Sequence, residues 1–311
     1  MDGARDCFQG REVTRIALVG CGRWGANILR DLLTLGCEVS VVDRSPVARE
    51  LARQRTQLVF SSTDLLPQVD GAVVATPAAA HFETVLELLP LGVPVFVEKP
   101  LTDDPVTAKR LAAEAPERVF VMDKWRYHPA VVGLSDLVHS GKLGEIRGLQ
   151  TTRVDWNGPR HDVDGAWTLA SHDLSIALSL LGRIPAVAGA AGQCGQGRVD
   201  HMLAWFRDRH WMSMEVSILS LHRQRQIIVH FENGVARYDD RNGYFEMAEY
   251  GSQSLQPVRQ PVAEEMPLFR ELEHFVRYVD GSGDAPASSV YDAAQIVETI
   301  ASLRSWVCRS E

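Results

Sequence analysis

The chain has 311 residues, 45% hydrophobic and 23% charged, the balance of a globular protein long enough for about two cored domains. Asp and Glu (40) outnumber Lys and Arg (32), the formal net charge is −8, and no basic run is interleaved with aromatics, which excludes a general nucleic-acid backbone binder. No apolar stretch has the length of a membrane span, Met1–Thr14 has no signal-peptide core, and the scattered Cys7, Cys21, Cys37, Cys194 and Cys308 read as reduced cytoplasmic thiols, with no disulfide framework and no metal site.

Residues 1–13 read as a loose tail. Ile16-Ala-Leu-Val19 is a short apolar strand, and Gly20-Cys-Gly-Arg-Trp-Gly25 follows it with G-x-G-x-x-G spacing. The first glycine permits a tight turn, the second lets backbone approach a pyrophosphate, and the third lets a helix pack on the strand. The phosphates then sit on the free N–H groups of a helix that starts near Arg23. Trp24 either covers the cofactor or packs. Ala26–Leu33 has helical periodicity, and Cys37–Val42 is a second strand ending at Asp43, 23 residues after Gly20. That spacing suits an acid that bonds a ribose diol, which favours NAD; Arg44 is a partner for an added phosphate, so NADP is the alternative.

The pattern continues with a helix over 46–55, strands at 58–60 and 72–76, a helix over 81–90, a strand over 93–99, a helix over 103–115 capped by Thr102 or Asp103, and a strand at 119–122. Alternating units of this kind predict an α/β fold with a doubly wound parallel sheet over 14–124, ligands binding at the carboxyl ends of its strands. From 125 onward the pattern changes. A helix over Pro129–Ser140 stops at Gly141, strands are expected at 146–155, 199–206, 211–218, 224–231 and 234–238, and Asn233-Gly234 marks a hairpin between the last two. A helix over 167–181 interrupts them, and helices at 268–280 and 291–307 finish the chain. Strands in succession predict an α+β domain with a mainly antiparallel open sheet over 125–311.

Glu98-Lys99-Pro100 ends a predicted core strand. A lysine there can hold a substrate hydroxyl or carbonyl, stabilise developing alkoxide charge and pass a proton; the other reading is a solvated lysine paired with Glu98. Thr168 and His172 share a helical face, and His172 is either a proton shuttle or a buried histidine bonded to backbone. Arg126, Tyr127 and His128 begin the second domain near the expected cleft. The loop from Asp155 and Trp156 to His161 and Asp162 carries groups suited to sugar or phosphate contacts, with a plain exposed loop as the preferred reading, and His222-Arg-Gln-Arg225 reads as a solvated turn in preference to a diphosphate contact.

Together, Gly20–Gly25, Ala75-Thr76-Pro77 followed by His81, Glu98-Lys-Pro-Leu101, Arg126-Tyr-His-Pro129, Ser140–Ile146 and Pro267–Phe275 resemble the glucose–fructose oxidoreductase/inositol dehydrogenase (Gfo/Idh/MocA) family. The resemblance implies an N-terminal Rossmann domain, a C-terminal α+β domain whose open sheet commonly mediates homo-oligomerisation, and NAD(P)-dependent oxidation or reduction of a sugar, nucleotide sugar or cyclitol. It implies that Lys99 is the catalytic lysine and that Thr76 and Pro77 form the loop against the cofactor, with His81 beginning the next helix. The family's second active-site segment usually reads D-x-G-x-H; here His172 matches the histidine, while Thr168 replaces the aspartate and Ala170 the glycine.

The expectation is a cytoplasmic oxidoreductase with Lys99 and His172 catalytic. Gly20, Gly22, Arg23, Trp24, Gly25, Asp43, Arg44, Thr76, Pro77, His81, Glu98 and Lys99 are expected on the cofactor. Lys99, Arg126, Tyr127, Trp156, Thr168 and His172 are expected on a small sugar-like substrate. Neither nucleic acid nor membrane is an expected partner. Alternatives are an inositol or aminocyclitol dehydrogenase, an imine-type reductase, and a non-catalytic dinucleotide-binding sensor.

Overall fold

The computed structural model describes residues 13–156, 163–251, 256–264 and 266–309. In the first half, β1 (Arg15–Val19), α1 (Gly25–Thr34), β2 (Glu38–Val42), α2 (Pro46–Arg53), β3 (Val59–Phe60), β4 (Gly71–Val74), α3 (Ala78–Leu88), β5 (Val95–Glu98), α4 (Pro105–Glu114) and β6 (Val119–Met122) alternate. Every strand pair in this sheet is parallel and the order is β3-β2-β1-β4-β5-β6. The order reverses between β1 and β4, so the crevice over the ends of those strands is the ligand-binding edge of a doubly wound sheet. The strand interiors are mainly apolar because both faces are covered, with Arg15, Glu38 and Glu98 at strand ends. α4 is capped by Asp104, one or two residues later than expected, with its carboxylate accepting from Thr107 N at 2.8 Å.

The second half runs α5 (Pro129–Ser140), β7 (Ile146–Trp156), a π-helical turn (Ala166–Ala170) continuous with α6 (Ser171–Leu181), then β8 (Val187–Gly195), β9 (Arg198–Arg207), β10 (Trp211–Ser217), β11 (Leu219–Phe231), β12 (Gly234–Asp239), β13 (Tyr244–Glu249), β14 (Val258–Pro261), α7 (Pro267–Val279) and α8 (Val290–Arg309). The eight strands form one sheet in the order β14-β13-β12-β11-β7-β10-β9-β8, antiparallel except where β7 meets β10. β8, β13 and β14 are additions to the expected strands.

Two features depart from a simple split at residue 124. α7 returns to the first sheet: Leu268, Leu272, Phe275 and Val276 form one stripe that packs on Ile16, Val73 and Phe96, and Phe275 stacks on Phe96 with ring centroids 4.8 Å apart. The segment before α8 also pairs with β6, through Val121 N to Ser288 O at 3.2 Å. Both halves are therefore held together by helices from the end of the chain.

The reading of five reduced thiols is corrected. Cys194 of β8 and Cys308 at the end of α8 form a disulfide, while Cys21 and Cys37 are free and buried. The helix packs along that edge strand and brings together two residues 114 positions apart, a proximity that sequence spacing does not encode. No helix among the described residues is long and apolar enough to cross a membrane.

Candidate active site

The glycine turn has the shape a dinucleotide requires. Gly20 sits at φ +95°, and a Cβ there would lie 2.7 Å from the backbone of Ala75 and Thr76; a Cβ on Gly25 would lie 2.2 Å from Gly20 O. Over Gly22, by contrast, no atom lies within 4 Å of an added Cβ, which leaves room for a phosphate to meet the backbone. At the end of β2 the Asp43 carboxylate accepts from Cys21 N and from Ser45 N, both at 2.7 Å, so it is fixed beside the turn with lone pairs to spare. Arg44 projects into solvent, 3.6 Å from Glu87. The Thr76 hydroxyl is buried in the cleft wall and has no hydrogen-bond partner among the described residues. The open glycine turn, the anchored acid and this orphaned hydroxyl fit a bound NAD.

A cleft of about 300 Å³ lies between the two sheets. Arg23, Trp24, Thr76, Pro77, His81, Glu98, Lys99, Thr168 and His172 all line it, which brings most of the expected cofactor and substrate residues into one place. Three of the expected substrate residues lie elsewhere. Arg126 donates to Ala287 O at 2.6 Å and meets Asp292 at 3.0 Å. Tyr127 Oη is 2.9 Å from His274 Nδ1 and accepts from Ala287 N, so these neighbours fasten α5 to the segment before α8. Trp156 is 63% exposed and outside the cleft lining. The loop residues 157–162, including His161 and Asp162, lie outside the described residues.

Lys99 follows β5 directly. His81, buried in the first turn of α3, has one ring nitrogen 2.8 Å from Pro100 O and the other 2.8 Å from Thr76 O, tying the Glu-Lys-Pro bend to the loop after β4. Glu98 accepts from the Trp24 indole and from Lys99 N, which fixes the other side of the bend. The Lys99 ammonium reaches across to Thr168 O at 3.3 Å. It thus bridges the two halves at the point where a nicotinamide and a substrate would meet.

Asp164 organises the opposite wall. Its carboxylate accepts from Trp167 N, Val199 N and Arg304 Nε, and its carbonyl accepts from the Thr168 hydroxyl at 2.8 Å. The Thr168 proton is therefore already used, and toward a ligand this side chain offers an oxygen acceptor. The π-helical turn places Thr168, Leu169 and His172 on the cleft side; such turns recur at functional sites. His172 is buried, with Nδ1 lacking a partner among the described residues. Burial, and then the charges of Lys99, Arg153, Lys124 and Arg225, hold its imidazole well below the usual histidine range, so it is neutral near pH 7. Asp173 points away from the cleft and pairs with Arg153 at 3.0 and 3.1 Å.

Four cleft residues were missed as site candidates. Lys124 lies over the Trp24 ring at 5.1 Å, and its pKa is lowered, chiefly by burial. Glu271 of α7 is fully buried, and burial followed by Glu98 and Asp123 pushes its carboxyl well above the ordinary range. Arg153 and Arg225 are register partners on β7 and β11. The reading of His222–Arg225 as a solvated turn is corrected: these residues are strand, and Arg225 shares the inward face of Ile227 and Val229. Arg225 already falls within the strand expected over 224–231, and the period-2 pattern of that apolar run puts it on the inward face.

His128 caps α5 by accepting from Ala130 N at 3.2 Å and stacks on Trp125. Burial, then Arg153, Lys124 and Arg225, push its pKa down to about 4. Because the unfolded chain protonates near 6.5, it binds more protons than the folded one below that pH, and stability falls as pH drops from 6.5 toward 4. This residue is expected to cost about 2 kcal/mol between pH 7 and 5. His128→Asn replaces the ring-nitrogen cap with an amide oxygen that does not titrate, so its urea-unfolding free energy should fall less steeply over that range; an unchanged slope would contradict the assignment.

Residues 14–122 match the sequence model of the "Oxidoreductase family, NAD-binding Rossmann fold". The rhizopine catabolism protein MocA of Rhizobium meliloti is 33% identical over 147 residues, covering 42% of this chain and 44% of that protein. An inositol 2-dehydrogenase of Streptomyces avermitilis is 27% identical over 230 residues, 66% of this chain and 65% of that protein. The chain thus spans less than two thirds of the length of these curated relatives. In fold, the UDP-N-acetylglucosamine 3-dehydrogenase of Acidithiobacillus ferrooxidans superposes with a TM-score of 0.83 at 23% identity, covering 96% of this chain and 98% of that one. The match over residues 14–122, the glycine turn and the strand-end Glu-Lys-Pro agree with the resemblance to the Gfo/Idh/MocA oxidoreductases, and the two-sheet architecture is shared with the solved dehydrogenase.

Proposed function

We propose that the protein is an NAD-dependent oxidoreductase acting on a carbinol or keto carbon of a small sugar-like substrate. The observation that carries this reading is the Lys99 ammonium, fixed at the end of β5 and spanning the cleft to Thr168 O beside a buried, neutral His172. NAD, when bound, supplies the hydride acceptor, and its reduced form the donor. Gly20, Gly22 and Gly25 hold its phosphates, Asp43 its ribose diol, and Thr76, Pro77 and Trp24 flank it. Lys99 holds the substrate oxygen, offsets charge that develops on it, and passes its proton; His172 is the second proton acceptor, and the Thr168 oxygen orients a substrate hydroxyl.

The test is nicotinamide absorbance with sugars, nucleotide sugars and cyclitols as substrates, with NAD and NADP in parallel. Lys99-dependent turnover of one class supports the reading, whereas tight cofactor binding with no turnover on any class would favour a sensor. A cyclitol remains the second reading, since the inositol 2-dehydrogenase of Streptomyces avermitilis is among the relatives.

Asp43 sets the cofactor preference in this account. Asp43→Ala should weaken NADH by about 10–100-fold, the worth of a charged hydrogen bond, while NADPH changes little. Fluorescence titration of both cofactors checks this, and an unaltered NADH:NADPH ratio would contradict it.

The open face of the second sheet carries exposed Leu203, Trp205 and Trp211, an apolar strip of the kind that protein interfaces cover. It supports a homo-oligomer through that sheet. Light scattering should give a multiple of the 34.4 kDa chain, reduced by Trp205→Asp; a monomeric parent would count against it. A cytoplasmic location goes with this reading, and there the Cys194–Cys308 bridge would be exposed to reduction.

A further inference from the structure

The cleft carries more positive charge than hydride transfer on a neutral sugar requires. Lys99, Lys124, Arg153 and Arg225 line it, and all four act on the single imidazole of His172, so their charges converge on one small volume. Few acids offset them. Asp173 is committed to Arg153, Glu98 lies against the Trp24 indole, and burial, then Glu98 and Asp123, push the Glu271 carboxyl well above the ordinary range. Thr168 stands where the resembling segments carry an aspartate, which removes one more negative charge from this wall. Asp155 is the acid that remains on the substrate side.

Arg225 is the cleft cation with a buried donor that has no hydrogen-bond partner among the described residues. Its nearest carboxylate oxygens are Asp155 Oδ2 at 3.8 Å and Asp240 Oδ2 at 4.0 Å, both beyond hydrogen-bond reach, and Asp240 is already bound by Arg223. Arg225 Nε is buried and has no hydrogen-bond partner among the described residues, and neither has the buried Asp155 Oδ1 beside it. An unused buried donor on a guanidinium is costly unless a ligand completes it, and the planar fork matches a carboxylate in bidentate geometry.

We propose that the substrate carries a carboxylate, that Arg225 binds it, and that the substrate class is therefore a polyhydroxy acid such as a sugar acid. This deepens, and rests on, the reading of the cleft as a hydride-transfer site. Asp155 then accepts a hydroxyl of the same substrate, and Lys99 takes the oxygen of the reacting carbon. A volume of about 300 Å³, part of it needed by the nicotinamide, suits a single-ring or open-chain acid. A phosphate ester shares the anionic chemistry, so it forms a separate arm of the test.

The experiment is calorimetric binding to the NADH-loaded full-length protein. D-glucuronate, D-galacturonate and D-gluconate are compared with D-glucose, D-galactose and D-glucitol, and with D-glucose 6-phosphate. At least one acid should bind about 10-fold or more tightly than its neutral counterpart. Arg225→Gln should remove that advantage and Arg225→Lys restore part of it, with retained NADH binding reporting an intact fold in each variant. The proposal is overturned if no acid binds, if neutral sugars bind as well, if the phosphate ester is preferred, or if the advantage survives Arg225→Gln. Binding is read without turnover. Arg225-dependent binding with no hydride transfer would therefore count against the proposed function alone, and Lys99-dependent turnover of neutral sugars alone would count against the carboxylate.

Discussion

Replacing Lys99 with alanine is expected to lower kcat by about 10²–10⁴-fold while NADH binds as tightly as before. The geometry separates the two properties. Groups that would hold the cofactor lie on the glycine turn, on Asp43 and on Thr76, and none depends on the lysine side chain. The bend that presents Lys99 is fixed by backbone and by neighbours, through His81 to Pro100 O and Glu98 to Lys99 N, so the variant keeps its shape. What is lost is the cation that holds the substrate oxygen and passes its proton. His172 cannot take over the electrostatic part, because burial and the surrounding cations keep it neutral. Steady-state kinetics with a fluorescence titration of NADH tests this pair of outcomes, and turnover equal to that of the parent would remove Lys99 from the chemistry.

The largest stability effect is expected at Arg153. Its guanidinium binds Asp173 with two hydrogen bonds of 3.0 and 3.1 Å, both side chains are almost fully buried, and it lies 4.1 Å over the Trp125 ring. It therefore joins β7, α6 and the segment after β6 behind the cleft. Arg153→Ala leaves a buried carboxylate without its partner and removes the packing on Trp125, a cost of about 3–5 kcal/mol. Replacing both partners with apolar residues of similar volume, Arg153→Met with Asp173→Leu, should recover much of the loss, because the cost lies mainly in the orphaned charge. Urea unfolding of the single and double variants measures it. A loss below about 1 kcal/mol in the single variant would contradict this account of the pair.

The parts of the fold legible in the sequence are those whose signal is local. Val119–Met122 and Pro129–Ser140 fall where hydrophobic period and the Gly141 stop place them, and the glycine turn is readable because its spacing and flanking strands act together. β8 was not legible: Val187-Ala-Gly-Ala-Ala-Gly-Gln-Cys-Gly195 has almost no β-branched residues, and its strand geometry comes from pairing with β9 and packing under α8. The amphipathic stripe of α7 was visible, but its partner was not, since the apolar face it covers belongs to strands laid down some two hundred residues earlier. The same holds for Cys194 and Cys308. In the site, Lys99, Thr76 and His81 were found through motifs, whereas Lys124, Glu271 and Arg225 reach the cleft from elements with no motif of their own. Arg126 and Tyr127 are near the domain junction in sequence, but that nearness does not set where a side chain points: their polar groups bond to residue 287 and its neighbours.

A cleft that transfers hydride between substrate carbon and nicotinamide must also transfer its isotope. Isotope transfer tests this most directly: each candidate sugar or sugar acid carries deuterium on its carbinol carbons, is incubated with NAD and the parent protein, and the reduced cofactor is examined by proton NMR. Deuterium is expected on one face of nicotinamide C4, formed by the parent and at a rate lowered about 10²–10⁴-fold in Lys99→Ala. Reduced cofactor without deuterium, or label transferred equally fast by Lys99→Ala, would contradict it.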